Sequence, residues 1–124
     1  MTSKKENKRG YGIIEPPIYE KLDWNMESII SCLEFIRIQL PKVFVDFPKS
    51  IQYEIIPLGN PFGEPYPVIG FYSDIPEDLK HMPDFIDLYD DIEKWLEQVG
   101  IETIKKEAEN INIESWETIK NRNL

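Results

Sequence analysis

Carboxylates are the chemically capable groups that this 124-residue chain spaces most regularly. Asp84, Asp87, Asp90, Asp91, Glu93 and Glu97 follow one another closely, with Lys94 the only basic residue among them. On a helix, Asp87 and Asp91, or Asp84 and Asp87, face one way and could offer oxygen ligands to Mg²⁺ or Ca²⁺. A dedicated site draws ligands from a second element as well, and none is legible. The spacing also departs from the EF-hand loop. The pattern therefore calls for no metal and no other cofactor. What remains for such a row is electrostatic work, the pairing of carboxylates with a basic protein surface.

Other chemistry finds little support. His81 is the only histidine, and neither a second His nor a Cys lies near it in sequence. Cys32, the only cysteine, sits among Ile30, Leu33 and Phe35, where a thiol acts as a small apolar group. One cysteine also excludes an intrachain disulfide. Gly59, Gly63 and Gly70 make neither a GxGxxG nor a GKS/T phosphate loop, and no serine-hydrolase elbow is present. The chain reads as a non-enzyme.

The carboxylates are positioned by the stretch from Pro83 to Gly100. Phe85, Leu88, Tyr89, Ile92, Trp95, Leu96 and Val99 recur every three or four residues, which predicts an amphipathic helix over about 83–99. Pro83 suits its first position and Asp84 its first turn, and Gly100 suits a left-handed cap. Asp90 and Lys94 offer one favourable i,i+4 pair. Asp87 and Asp91 form an unfavourable one of similar size, so the acidity does not serve helix stability.

A second helix is expected over about 25–40, capped by Asp23 or Asn25, with Pro41 ending it or starting a new turn. Met26, Ile29, Ile30, Leu33, Ile36 and Leu40 form its stripe. Cys32, Phe35 and Ile38 widen the stripe until little polar surface remains, so this helix should be central. Eight of the ten prolines fall between Pro41 and Pro83, which disfavours long helices there. Residues 51–58 alternate apolar with polar, and 68–73 read as their partner strand, giving a hairpin over about 51–73. Its third strand could come from Val43–Phe47, which reads equally as a last helical turn, or from Tyr11–Ile14. Phe62 and Tyr66 are expected on the proline-rich hairpin loop, as aromatic anchors for a partner. After Gly100, Ile101, Ile104, Ala108 and Ile111 predict further helix, with Asn112 as a cap for a last turn carrying Trp116 and Ile119. The expected fold is thus α+β, a small antiparallel sheet packed with a buried N-terminal helix, the acidic helix and one or two C-terminal helices. Residues 1–10 are expected to be a disordered basic tail and 11–124 a single globular domain.

Charge narrows the function. The net charge is −9, and the segment Asp74–Glu97 holds nine acidic against two basic residues, a net of −7. Nucleic acid and anionic membranes are poor partners for such a surface. With no apolar leader at the N-terminus and no apolar run long enough to cross a bilayer, a cytoplasmic location is expected. The leading expectation is a binding protein that neutralises a basic partner, most concretely an immunity-type inhibitor of a nuclease toxin. Its contact residues would be Asp74, Asp78, Asp84, Asp87, Asp90, Asp91, Glu93 and Glu97, with Phe62 and Tyr66. The alternatives are an adaptor or homo-oligomeric assembly subunit acting through the hairpin loop, and a metal-dependent enzyme using the helix carboxylates.

Overall fold

A computed structural model of the chain describes residues 9–14, 25–59, 61 and 63–121. The fold is α+β. Three strands, β1 (Arg9–Ile14), β2 (Gln52–Leu58) and β3 (Tyr66–Ser73), form an antiparallel sheet in the order β1-β3-β2. Five helices follow the same chain order: α1 (Met26–Val43), α2 (Pro76–Leu79), α3 (Phe85–Val99), α4 (Ile101–Ala108) and α5 (Trp116–Lys120).

The third strand comes from the N-terminal candidate. Arg9 pairs with Ser73 and Ile14 with Ile69, with a register shift between Gly10 and Gly12 that marks a bulge. The boundary drawn at residue 10 therefore falls inside β1. The tail expectation otherwise concerns residues outside those described. Val43 closes α1, and residues 44–47 turn, with the Phe44 and Phe47 rings stacked 5.2 Å apart.

Prolines help set the β2–β3 register. Pro57 stands directly opposite Pro67. Neither has an N–H, so this pair occupies a position where neighbours do not exchange hydrogen bonds. By the same two-residue alternation, Tyr53 and Ile55 turn their backbone polar groups to the outer edge of β2. Consistent with this, the Tyr53 carbonyl accepts from Arg37 Nη1 on α1 at 3.4 Å. β3, flanked on both sides, is buried along most of its length. Gly70 leaves room there: a Cβ would lie 2.9 Å from Ile56 Cδ1 and 3.0 Å from the Tyr72 hydroxyl, so the ends of both side chains would have to shift.

α1 is the centre of the core, as its wide apolar stripe requires. Ile29, Ile30, Cys32, Leu33, Phe35, Ile36 and Leu40 are buried, and the helix packs on β2, β3, α4 and α5. Asn25 is its cap, accepting from the Ser28 N–H at 3.2 Å. Of the two expectations for Pro41, an end or a further turn, the helix takes the further turn: it runs through Pro41 to Val43, and Phe44 N–H still reaches Leu40 O at 2.9 Å. Pro41 lies in the last turn, so its ring removes one bond near an end that frays anyway.

α3 sets Leu88, Ile92 and Leu96 into the core, and Trp95 stacks on Phe35 of α1 at 6.3 Å. It starts two residues later than expected. Pro83 precedes the helix, and Asp84 is the cap, its carboxylate accepting from Asp87 N–H at 3.1 Å. Gly100 is the sole residue between α3 and α4. Its φ of 88° needs glycine, but its ψ of 139° is extended, so the expected left-handed helical cap is not made. Gly100 N–H bonds Leu96 O, and Gly100 O accepts from Ile104 N–H, so one residue serves both helices. Ser115, not Asn112, caps α5, because its hydroxyl reaches Thr118 N–H at 3.2 Å. No helix among the described residues is long and apolar enough to cross a membrane.

Candidate functional site: an acidic helix face

α3 holds the carboxylates on a rigid element whose opposite face is core. Asp84, Asp87, Asp90, Asp91 and Glu97 are exposed, and Glu93 is half-buried. Among the described residues, ion pairs join Glu34 to Arg37, Glu77 to Lys80 and Glu117 to Lys120. None engages Asp87, Asp90, Asp91, Glu93 or Glu97, and the Asp90–Lys94 pair is not formed. The helix rises about 1.5 Å per residue, so the row from Asp87 to Glu97 is about 15 Å long. Among the described residues no three His, Cys, Asp or Glu side chains converge as metal ligands.

Two of the expected contact carboxylates are occupied within the fold. Asp84 spends one oxygen on its own helix, as described. Asp78, half-buried in α2, accepts from Ser50 Oγ at 2.6 Å. Ser50 Oγ also lies 2.6 Å from Ser73 Oγ, and Ser73 is fully buried at the end of β3. The Ser50 hydroxyl has one proton and gives it to Asp78, so the Ser73 proton fills the second contact. Ser73 Oγ in turn accepts from Ile75 N–H at 3.0 Å. This chain ties the turn before β2, the end of β3 and α2 into one unit. It is structural, and Asp78 belongs to it.

Asp74 lies exposed just past β3. Tyr66 is not on the hairpin loop: it opens β3 opposite Leu58 and is half-buried, because pairing extends two residues beyond the predicted strand. Phe62 falls outside the described residues. The structure thus brings the α3 carboxylates together on one element.

One polar cluster was not foreseen. Glu34 and Arg37, one turn apart on the most apolar helix, form a two-pronged ion pair, Nε to Oε1 and Nη2 to Oε2, the latter at 2.9 Å. With Tyr53, Glu54 and Glu114 they line a cleft of about 280 Å³ beside β2. The hydrogen bond to Glu34 raises the Arg37 pKa further, so this guanidinium is a fixed charge and not a proton carrier. Burial pushes the Tyr53 phenol up to about 12, and burial, then Glu54, raises that of Tyr72. Neither phenol is a base at neutral pH. A spacing of Glu-x-x-Arg within an apolar stripe was the available signal for this cluster.

Cys32 lines a second cleft of about 300 Å³ with Ser28, Ser31 and Lys105. Burial raises its pKa, more than Lys105 lowers it, which disfavours the thiolate. His81 is exposed in the turn after α2, its N–H bonded to Asp78 O. No known family pattern, no curated protein and no solved structure matches the chain.

Proposed function

We propose that this chain is a non-enzymatic binding protein that acts in the cytoplasm and neutralises a basic protein partner. Its most concrete form is an immunity-type inhibitor that covers the substrate cleft of a nuclease toxin. The observation that supports this reading is the row Asp87, Asp90, Asp91, Glu93 and Glu97. These carboxylates stand on a helix anchored in the core and are spent on no ion pair among the described residues. A nuclease cleft gathers Lys and Arg to hold phosphates. Carboxylates held over about 15 Å of a rigid helix can occupy the places of those phosphates. Because the row is exposed, its charges act mainly on encounter rate and orientation, and their effect is screened by salt.

The test is capture on the immobilised chain at about 50 mM and about 500 mM salt. A comparison chain carries Asp87, Asp90 and Asp91 as Asn, and Glu93 and Glu97 as Gln. The reading expects a basic protein retained at low salt, released at high salt and not retained by the comparison chain. Equal retention by both chains would sink it.

A further inference from the structure

α3 carries more than charge on its outer surface. Ile86 is 74% exposed and Tyr89 38% exposed, in the first turns of a helix whose core face is already filled by Leu88, Ile92 and Leu96. A single exposed apolar side chain is ordinary. The surroundings of Ile86 are less so. At about 100° per residue, Asp90, Glu93 and Glu97 all fall within about 40° of Ile86 around the helix. Tyr89 borders the same strip. Asp87 and Asp91 lie about 100° and 140° away, on a flank shared with Lys94 and with no large apolar residue. The acidic face therefore has two unequal halves.

We propose that the partner contact is made by the Ile86 half alone, with Ile86 as its apolar anchor. The occupant is a basic protein surface that sets an apolar pocket among Lys and Arg side chains. This rests on the reading of α3 as a surface for a basic partner, and it adds which half binds and what the partner must contain. The argument is one of charge complementarity combined with interface anatomy. Binding energy concentrates on large side chains that enter pockets, while charged neighbours beside them orient the partner. A row of carboxylates alone is satisfied by any polycation. An isoleucine at its N-terminal end disfavours partners that present only charge, because ammonium groups there would be desolvated against a methyl surface. Pairing of this strip with the same strip of a second copy is disfavoured by like charge.

The probe is a displayed library of random peptides, selected against the immobilised chain and then against three variants. Ile86→Asp removes the anchor, D90N/E93Q/E97Q neutralises the strip, and D87N/D91N neutralises the other flank. All these positions lie outside the buried core, and the melting temperature of each variant checks that the fold is kept. The expected winners combine Lys or Arg with at least one large apolar residue. They bind Ile86→Asp and the strip variant at least about tenfold more weakly and D87N/D91N within about twofold of wild type. Basic winners without an apolar residue that bind Ile86→Asp normally would overturn the anchor and leave the charge reading intact. Winners lost equally on D87N/D91N would overturn the division into halves. The absence of basic winners would refute both readings.

Discussion

Asp78 was expected at the partner surface, yet its carboxylate accepts the Ser50 hydroxyl at 2.6 Å inside a chain that ends on fully buried Ser73. A double-mutant cycle on Ser50→Ala and Asp78→Ala decides between the two roles. A hydrogen bond to a charged group contributes roughly 1.5–3 kcal/mol net, and partial exposure places this one near the lower end. Each single change should therefore cost about 1.5 kcal/mol. After Ser50→Ala the Ser73 proton can turn to Ile75 O, 3.2 Å away, so the damage stops there. With both partners gone little further is lost, and the double variant should cost about 1.5–2 kcal/mol rather than about 3. The coupling energy is then about 1–1.5 kcal/mol. For a domain of this length each kcal/mol lowers the melting temperature by about 4 °C. Urea unfolding followed by tryptophan fluorescence measures all four corners. Additive costs, with coupling below about 0.3 kcal/mol, would refute the link and return Asp78 to the surface.

Four further substitutions test the backbone and the sheet. Gly70→Ala should destabilise by about 1–3 kcal/mol through overpacking against Ile56 and Tyr72, and Ile56→Val beside it should recover part of the loss; urea midpoints read both. Gly100→Ala meets no atom within 4 Å, so its expected cost of about 1 kcal/mol comes from φ alone, and an unchanged melting temperature would contradict this. Tyr53 keeps its proton up to about pH 12 when folded but only to about 10 when unfolded. Its contribution is full below pH 10, declines above it and is gone past 12, so Tyr53→Phe should flatten the loss of stability between those pH values in denaturant titrations.

Periodicity carried most of the fold. α1 and α3 were legible because burial on one stripe leaves a 3.6-residue signature. β2 and β3 were legible because their apolar residues sit between turn formers. Ends were harder to read, since a cap depends on local geometry that composition does not encode. Asp84 and Pro83 are both good starters, and the chain uses the carboxylate. Asn112 and Ser115 are both good caps, and the packing of Ile119 in the core favours the later one. Pro41 reads as a stop or as the start of a further turn, and in a last turn it loses a single bond. Contacts distant in sequence left no trace. Ser50, Ser73 and Asp78 meet only because the hairpin folds back, so Asp78 looked like any other surface acid. Arg37 acquires its second partner, the Tyr53 carbonyl, only because the β2 edge lies beside α1. The acidic row itself was visible from residue types alone, but Ile86, lying off the core stripe, acquired meaning only once its exposure was known.

The most direct measurement is the salt dependence of affinity for the captured basic partner, compared between wild type and the chain with the five α3 carboxylates neutralised. The account predicts that wild-type Kd rises at least tenfold between about 50 and 500 mM salt, while the neutralised chain binds weakly with little salt dependence. A wild-type Kd that does not change with salt, or a neutralised chain that binds as tightly as wild type, would contradict it.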